Sequence, residues 1–400
     1  MESGHDVRGG EADAKLLGVR LLPLGFAAFL VFGFLLVLVG ANHADIAAAM
    51  ELDLEETGLL GASLSLGLGL GVLVAGPMSD RLPRRPLFCL ATGLAGVSLL
   101  SVEADMDLFR ALFHVGLAGF FAGIFETVLN VLSIEHYGER ASRPVTFLHS
   151  AATLGAVIGP FVMAWVTVEA GFVAAFRATA FSMFVLSAWG LGARFLGEQP
   201  TKIENAKSPG DRPSLADPVL LALCVLSFSY IGVEAGLTIF AVPYAEGALG
   251  QDPESGQLAI STFWMGLLVG RLLLLASRRE FEPRLFIIAG LVGFFLLAVG
   301  TGLRVSNMEI WFGVCGLALS GVFPALVTLT GRYFPQSRGT AIGLAVGSGS
   351  VGGFVIPWTI GWAGNELGIR TAVAGLALGC LFIVAAAVFI RSNKKAAASL

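Results

Sequence analysis

The feature that most limits what this chain can become is a series of twelve apolar stretches. Each is close to the roughly 20 residues that a helix needs to cross a bilayer. They centre near Phe32, Leu68, Ala95, Ala122, Ile158, Met183, Phe228, Met265, Gly293, Leu319, Val351 and Ala377. In hydrocarbon, backbone amides must be satisfied internally, and apolar runs of this length do so as helices. Composition agrees, with 56% hydrophobic and 14% charged residues in 400. A soluble domain carries about a quarter charged residues, so this chain could not cover its own surface with polar groups. Glycine is abundant, as expected where helices pack closely in lipid. The net charge of -4 gives no basic footprint for nucleic acid. Cys89, Cys224, Cys315 and Cys380 stand singly in apolar stretches and read as small core residues, without metal spacing or a disulfide framework. The first run follows a polar segment, is longer than a signal-peptide core and lacks a small-residue cleavage pattern, so it is expected to be retained.

Charge in the connecting loops alternates. Asp45, Glu51, Asp53, Glu55 and Glu56 follow the first run, and Arg81, Arg84 and Arg85 follow the second. Glu103, Asp105 and Asp107 follow the third, and Arg140 and Arg143 the fourth. The second half repeats the alternation, with Glu246, Asp252 and Glu254 and then Arg278, Arg279 and Arg284. Arg332 and Arg338 follow the tenth run, and Arg391, Lys394 and Lys395 the twelfth. Basic loops face the cytoplasm by the positive-inside rule, which places both termini inside and requires an even number of spans.

The halves read as one unit written twice. Gly71-Val72-Leu73-Val74 with Arg84-Arg85 parallels Gly266-Leu267-Leu268-Val269 with Arg278-Arg279. Ser142-Arg143, Gly155, Pro160 and Trp165 parallel Ser337-Arg338, Gly352, Pro357 and Trp362. The expected fold is therefore an all-α integral membrane protein, with twelve transmembrane helices in two pseudo-symmetric six-helix bundles. Residues 1–20 form a cytoplasmic segment, 21–196 the first bundle, 197–217 a linker, 218–391 the second bundle and 392–400 a tail. A parallel duplication suits alternating access around a solute site at the midplane.

The run Gly76-Pro77-Met78-Ser79-Asp80-Arg81-Leu82-Pro83-Arg84-Arg85 reads either as an ordinary positive-inside loop or as an inside gate. In the gate reading Asp80 docks at the positive dipole end of the eleventh span, near Ser337-Arg338, and ties the halves together. Gly76, Asp80, Arg81, Arg84 and Arg85 are the gate residues. The segment resembles the signature loop of the major facilitator superfamily, Gly-x-x-x-Asp-Arg-x-Gly-Arg-Arg, with Pro83 where the family more often has glycine.

Charges at membrane depth cost several kcal/mol or more (~3 upwards) and mark functional candidates. Glu126 stands mid-span with Asn130 one turn on, so both share a face, which reads either as a functional pair turned into the protein or a water-filled cavity or as a hydrogen-bonded pair that glues helices. Asp45 is either the first residue of an acidic loop or part of a helix continuing through Ile46–Met50. His149 and Glu234 are either satisfied buried polar residues or solute ligands; His114 reads as structural. Asn42-His43-Ala44-Asp45-Ile46, Phe125-Glu126-Thr127-x-x-Asn130, Phe147-Leu148-His149 and Gly232-Val233-Glu234 followed by Tyr244 resemble the fucose–proton symporter branch. So does Ser261-Thr262-Phe263-Trp264 through Gly270-Arg271. The resemblance implies proton coupling at Asp45 and Glu126, with the proton as coupling ion and no cofactor or metal. Asn130, His149, Glu234, Trp264 and Tyr244 are the candidate solute ligands, the aromatics stacking on apolar ring faces.

The expectation is symport of a small polar solute, a monosaccharide, by a monomer in a bacterial inner membrane. Two other readings stand beside it. Gly155-Ala156-Val157-Ile158-Gly159-Pro160 resembles a motif of drug–proton antiporters, which implies efflux of an amphiphile. A receptor or sensor without transport would bind ligand and give no flux. No catalytic dyad or nucleotide-binding loop suggests an enzyme.

Overall fold

A computed structural model describes residues 5–137, 142–193, 217–277, 282–334 and 338–398. Within these, the side chains of 5–20, 76–77, 80–81, 134–135, 142–143, 275, 277, 338–340 and 394–398 are not described. The expected linker lies almost wholly outside the described residues.

Fourteen α-helices carry the described chain. They are α1 (His5–Ala41), α2 (His43–Met50), α3 (Leu54–Arg81), α4 (Arg84–Leu100), α5 (Leu108–Tyr137), α6 (Ser142–Ala170) and α7 (Phe172–Gly192) in the first half. The second half has α8 (Pro218–Tyr244), α9 (Pro253–Ser277), α10 (Pro283–Gly302), α11 (Met308–Leu319), α12 (Val322–Tyr333), α13 (Arg338–Leu367) and α14 (Ile369–Ala398). A π-helical turn, Ala245–Leu249, extends α8. All twelve expected centres fall within this series. Eleven segments are apolar and at least 18 residues long. The twelfth expected run is α4, whose 17 residues reach about 26 Å at 1.5 Å per residue.

Local chemistry sets several helix ends. Asp53 caps α3 by accepting from the Glu56 amide at 2.8 Å, and the Glu56 carboxylate accepts from the Asp53 amide at 3.0 Å. Asp217 caps α8 ahead of Pro218. Arg370, in the first turn of α14, donates to the carbonyls of Thr301 and Gly302 at the end of α10. The tenth span breaks into α11 and α12 at Ser320-Gly321, because Pro324 has no amide to donate back to Ser320. Only Leu82 and Pro83 separate α3 from α4; Pro83 takes a φ of -59, which its ring favours, so proline makes this turn without strain.

The duplication is physical. The pairs α1–α6, α3–α5 and α4–α7 of the first half recur as α8–α13, α9–α11 and α10–α14. A Cβ at Gly71 would lie 2.0 Å from the Phe120 carbonyl oxygen, and one at the matching Gly266 2.0 Å from that of Gly313. Gly155 and its counterpart Gly352 meet the Leu30 and Phe228 carbonyls at 2.1 and 1.9 Å. Glycine thus lets backbones touch where no hydrophobic effect drives helices together. Outward, the molecule shows apolar side chains such as Phe109, Phe181 and Phe295, and the matching Trp165 and Trp362. Lipid, not water, is the solvent for that surface.

The halves meet along α3–α13 and α6–α9. At the end carrying the acidic loops, the Leu54 amide donates to Asn365 Oδ1 (3.2 Å) and Trp358 Nε1 to Glu55 Oε1 (3.0 Å). Gln257 Nε2 donates to the Ala41 carbonyl at 2.9 Å. That carbonyl belongs to the last residue of α1. The acidic end is therefore closed.

Candidate solute site between the halves

On α5, Glu126 and Asn130 sit one turn apart, half-buried, and their side chains interact. The Asn130 carbonyl oxygen, Oδ1, is buried without a partner. Phe125 beside them packs edge-on against Phe32 of α1, with centroids 6.1 Å apart. Phe29, one turn back on α1, packs against His149 of α6 at 4.9 Å.

A second polar group lies on α8 and α9. The Tyr230 hydroxyl donates to Glu234 Oε2 at 2.5 Å. Tyr230 also lies over Phe323 of α12, with centroids 6.5 Å apart. Arg271 of α9 lies in the electrostatic reach of Glu234, Tyr230 and His149. Its Nη1 crosses to the other half and donates to Thr153 Oγ1 at 2.8 Å. Thr153 in turn donates to the His149 carbonyl at 3.0 Å. Arg271 and Glu234 form no ion pair, and Arg271 Nε is buried without a partner.

The structure therefore gathers Glu234 and His149 around Arg271, and keeps Glu126 with Asn130 as a separate pair. The other expected ligands lie elsewhere. Trp264 is buried two turns from Arg271 on the same face of α9, with Nε1 unpartnered. Tyr244 is fully buried away from this group; its ring packs on Trp311 and its hydroxyl reaches the Gly300 carbonyl at 3.4 Å. Asp45 stands on α2, the continuing-helix alternative, but its side chain is exposed at the acidic end. Residual burial there pushes its carboxyl up, offset in part by its own backbone amide. Its neighbour His43 is buried against Phe240 of α8, and burial pushes that imidazole down to about 3.

Of the gate residues, Arg84 is buried at the start of α4 and Arg85 is half-buried. Gly76, Asp80 and Arg81 close α3, but their side chains lie outside the described residues, as does the expected dock at Ser337-Arg338. His114 packs against Phe113, with its Nδ1 unpartnered.

Sequence reasoning did not single out Arg271, Thr153 or Gln257 as site residues. The signal for Arg271 was available, since a guanidinium deep in an apolar run marks a functional position. Gln257, Trp264 and Arg271 also recur every seven residues, on one face of α9, and Gln257 and Arg271 both bond the opposite half. Thr153 gave no signal, because threonine is ordinary in membrane helices.

A groove of about 640 Å³ lies elsewhere, between α8, α13 and α14. Its wall includes the outward-facing Val225, Leu378 and Phe382, so it opens toward lipid rather than toward the polar groups.

Eleven apolar helices and the shorter α4, set in two matched bundles with polar groups held between them, define a multi-pass membrane carrier rather than an enzyme. The family model described as Major Facilitator Superfamily matches residues 24–273 and 222–399, and the chain belongs to that superfamily. It is 23% identical over 381 residues to the glucose/mannose transporter of Bacillus subtilis, covering 89% of this chain and 92% of that one. It is 26% identical over 393 residues to the 3-(3-hydroxy-phenyl)propionate transporter of Escherichia coli, covering 94% of each. A solved proton:xylose symporter bound to 6-bromo-6-deoxy-D-glucose shares the fold, with a TM-score of 0.69 and 16% identity over 94% of this chain and 95% of that one.

Proposed function

We propose that this carrier imports a monosaccharide together with protons, in the manner of the fucose–proton symporter branch that its motifs resemble. The observation that carries the reading is the pairing of a membrane-depth acid, Glu126, with hydroxyl-recognising groups between the halves. Asn130 Oδ1 and Arg271 Nε are buried, unpartnered and able to accept from and donate to solute hydroxyls. Protonation of Glu126 removes the cost of carrying its charge through a dry, closed intermediate, so the loaded carrier can switch. The glucose/mannose relative supports the sugar, and the xylose symporter of the same fold supports the coupling ion.

A carboxylate solute is the second reading, favoured by Arg271 and by the Escherichia coli relative. Glu234 weighs against it, because an anion pairing with Arg271 would confront that acid. The glycines that suggested efflux have a plain packing use: Gly155 seats the α1 backbone. The bacterial inner membrane and the monomer remain part of the proposal.

Flux into proteoliposomes decides between these. Glucose, mannose and 3-hydroxyphenylpropionate are offered with and without an inward proton gradient. Gradient-dependent accumulation of a hexose is the expected result. Accumulation of the carboxylate alone, or hexose uptake indifferent to the gradient, rejects the proposal. In Glu126→Gln, accumulation falls to equilibration while counterflow exchange continues.

A further inference from the structure

Arg271, half-buried with its Nε shut off from solvent, is bonded to a partner that does not match its charge. Its natural counter-ion, Glu234, is near, yet Nη1 bonds a neutral hydroxyl on the opposite half. A charge held out of water is most stable in direct, bidentate contact with a carboxylate. Thr153 is engaged twice, since its hydroxyl accepts from Arg271 and donates to the His149 carbonyl. Glu234 keeps acceptor capacity beyond the Tyr230 hydroxyl, and Arg271 Nε keeps an unused donor. Tyr230 lies beside both, so a donor and an acceptor flank its hydroxyl within the second half. A single solute hydroxyl can bridge them by accepting from the guanidinium and donating to the carboxylate. Two hydroxyls on adjacent ring carbons would match the guanidinium fork.

We infer that the Arg271–Thr153 bond is the latch of the empty carrier, and that a neutral solute carrying vicinal hydroxyls opens it by taking Arg271 over into a bridge with Glu234. The inference rests on the monosaccharide reading and gives it a specificity rule. A polyol satisfies both charges at once, whereas a carboxylate would pair with Arg271 and confront Glu234. The same exchange couples binding to motion. Arg271–Thr153 ties α9 to α6 across the halves, and its loss on binding frees that seam to move.

The test is equilibrium binding of glucose, mannose and their single-deoxy analogues to the purified full-length protein. Thr153→Val removes the competing hydroxyl at equal volume, and is expected to tighten hexose binding about 3- to 10-fold. Thr153→Ser restores the hydroxyl and wild-type affinity. Arg271→Lys keeps the charge but not the fork; it should weaken hexose binding at least about tenfold. It should also erase the penalty that wild type shows for one deoxy position. Hexose binding unchanged or weakened in Thr153→Val overturns the latch, while wild-type hexose binding leaves the function reading standing. A deoxy penalty that survives in Arg271→Lys removes Arg271 from the site. Wild-type protein that binds no hexose rejects the function reading itself, and the latch with it.

Discussion

At the scale of single residues, this carrier places polar groups where lipid-facing helices cannot tolerate them, and some of them join one helix to another. Asn42 shows how. Its amide donates to the Leu38 carbonyl at 2.8 Å, and its oxygen accepts from Thr167 at 2.7 Å, joining α1 to α6. Asn42→Ala strands the Thr167 hydroxyl, at a cost of about 1–3 kcal/mol, and a lower thermal midpoint of the purified protein is expected. His43 adds a pH dependence. Its ordinary value of 6.5 falls to about 3 in the closed acidic end through burial, which favours the neutral ring. The charged groups nearby are Asp45 on its own helix and Glu246, which faces Asp45 from the turn after α8. Because the closed form binds the proton less well, closure at this residue is fully present above pH 6.5 and weakens as pH falls toward 3. Acidification on that side should therefore raise the reactivity of a cysteine placed at Ser65, which lies on α3 against Gly353 of α13, and His43→Gln should flatten this response.

At the scale of elements, the seam between α3 and α13 governs closure. A Cβ at Gly361 would lie 2.5 Å from the Leu54 carbonyl, and one at Gly58 3.1 Å from that of Pro357. Neither contact is within one half, so a larger side chain obstructs closure without disturbing either bundle. Gly361→Leu is expected to hold the acidic end open. Labelling of Ser65→Cys should then rise several-fold, to a level set by access alone, while net uptake is lost and the solute still binds. Labelling equal to that of the parent protein would show that the seam yields around the leucine. The duplication was readable in the chain as recurring Gly71/Gly266 and Gly155/Gly352. Their use was not, because a glycine in a membrane helix looks the same whether it meets a backbone or lipid.

At the scale of the molecule, the count of crossings depends on α4, the shortest of them. Cysteines introduced in the first residues of α1 and at Ser392 should label from the same side of the membrane, as an even number of spans requires. Labelling from opposite sides would mean that α4 does not cross.

The sequence by itself determined the apolar helical runs and the two-fold repeat, because hydrocarbon leaves an apolar run of this length few other ways to satisfy its backbone. It also marked Glu126 and Glu234, since a charge at membrane depth stands out against apolar neighbours. Only the tertiary structure decided which of these groups meet. It put Glu234 beside Arg271 and His149 and left Glu126 with Asn130. It also buried Tyr244 away from both groups and showed that Asp45 lies exposed beyond the closed end. Those outcomes depend on how two bundles rotate and approach each other, and a spacing of four or seven along one helix fixes only the face that a residue occupies.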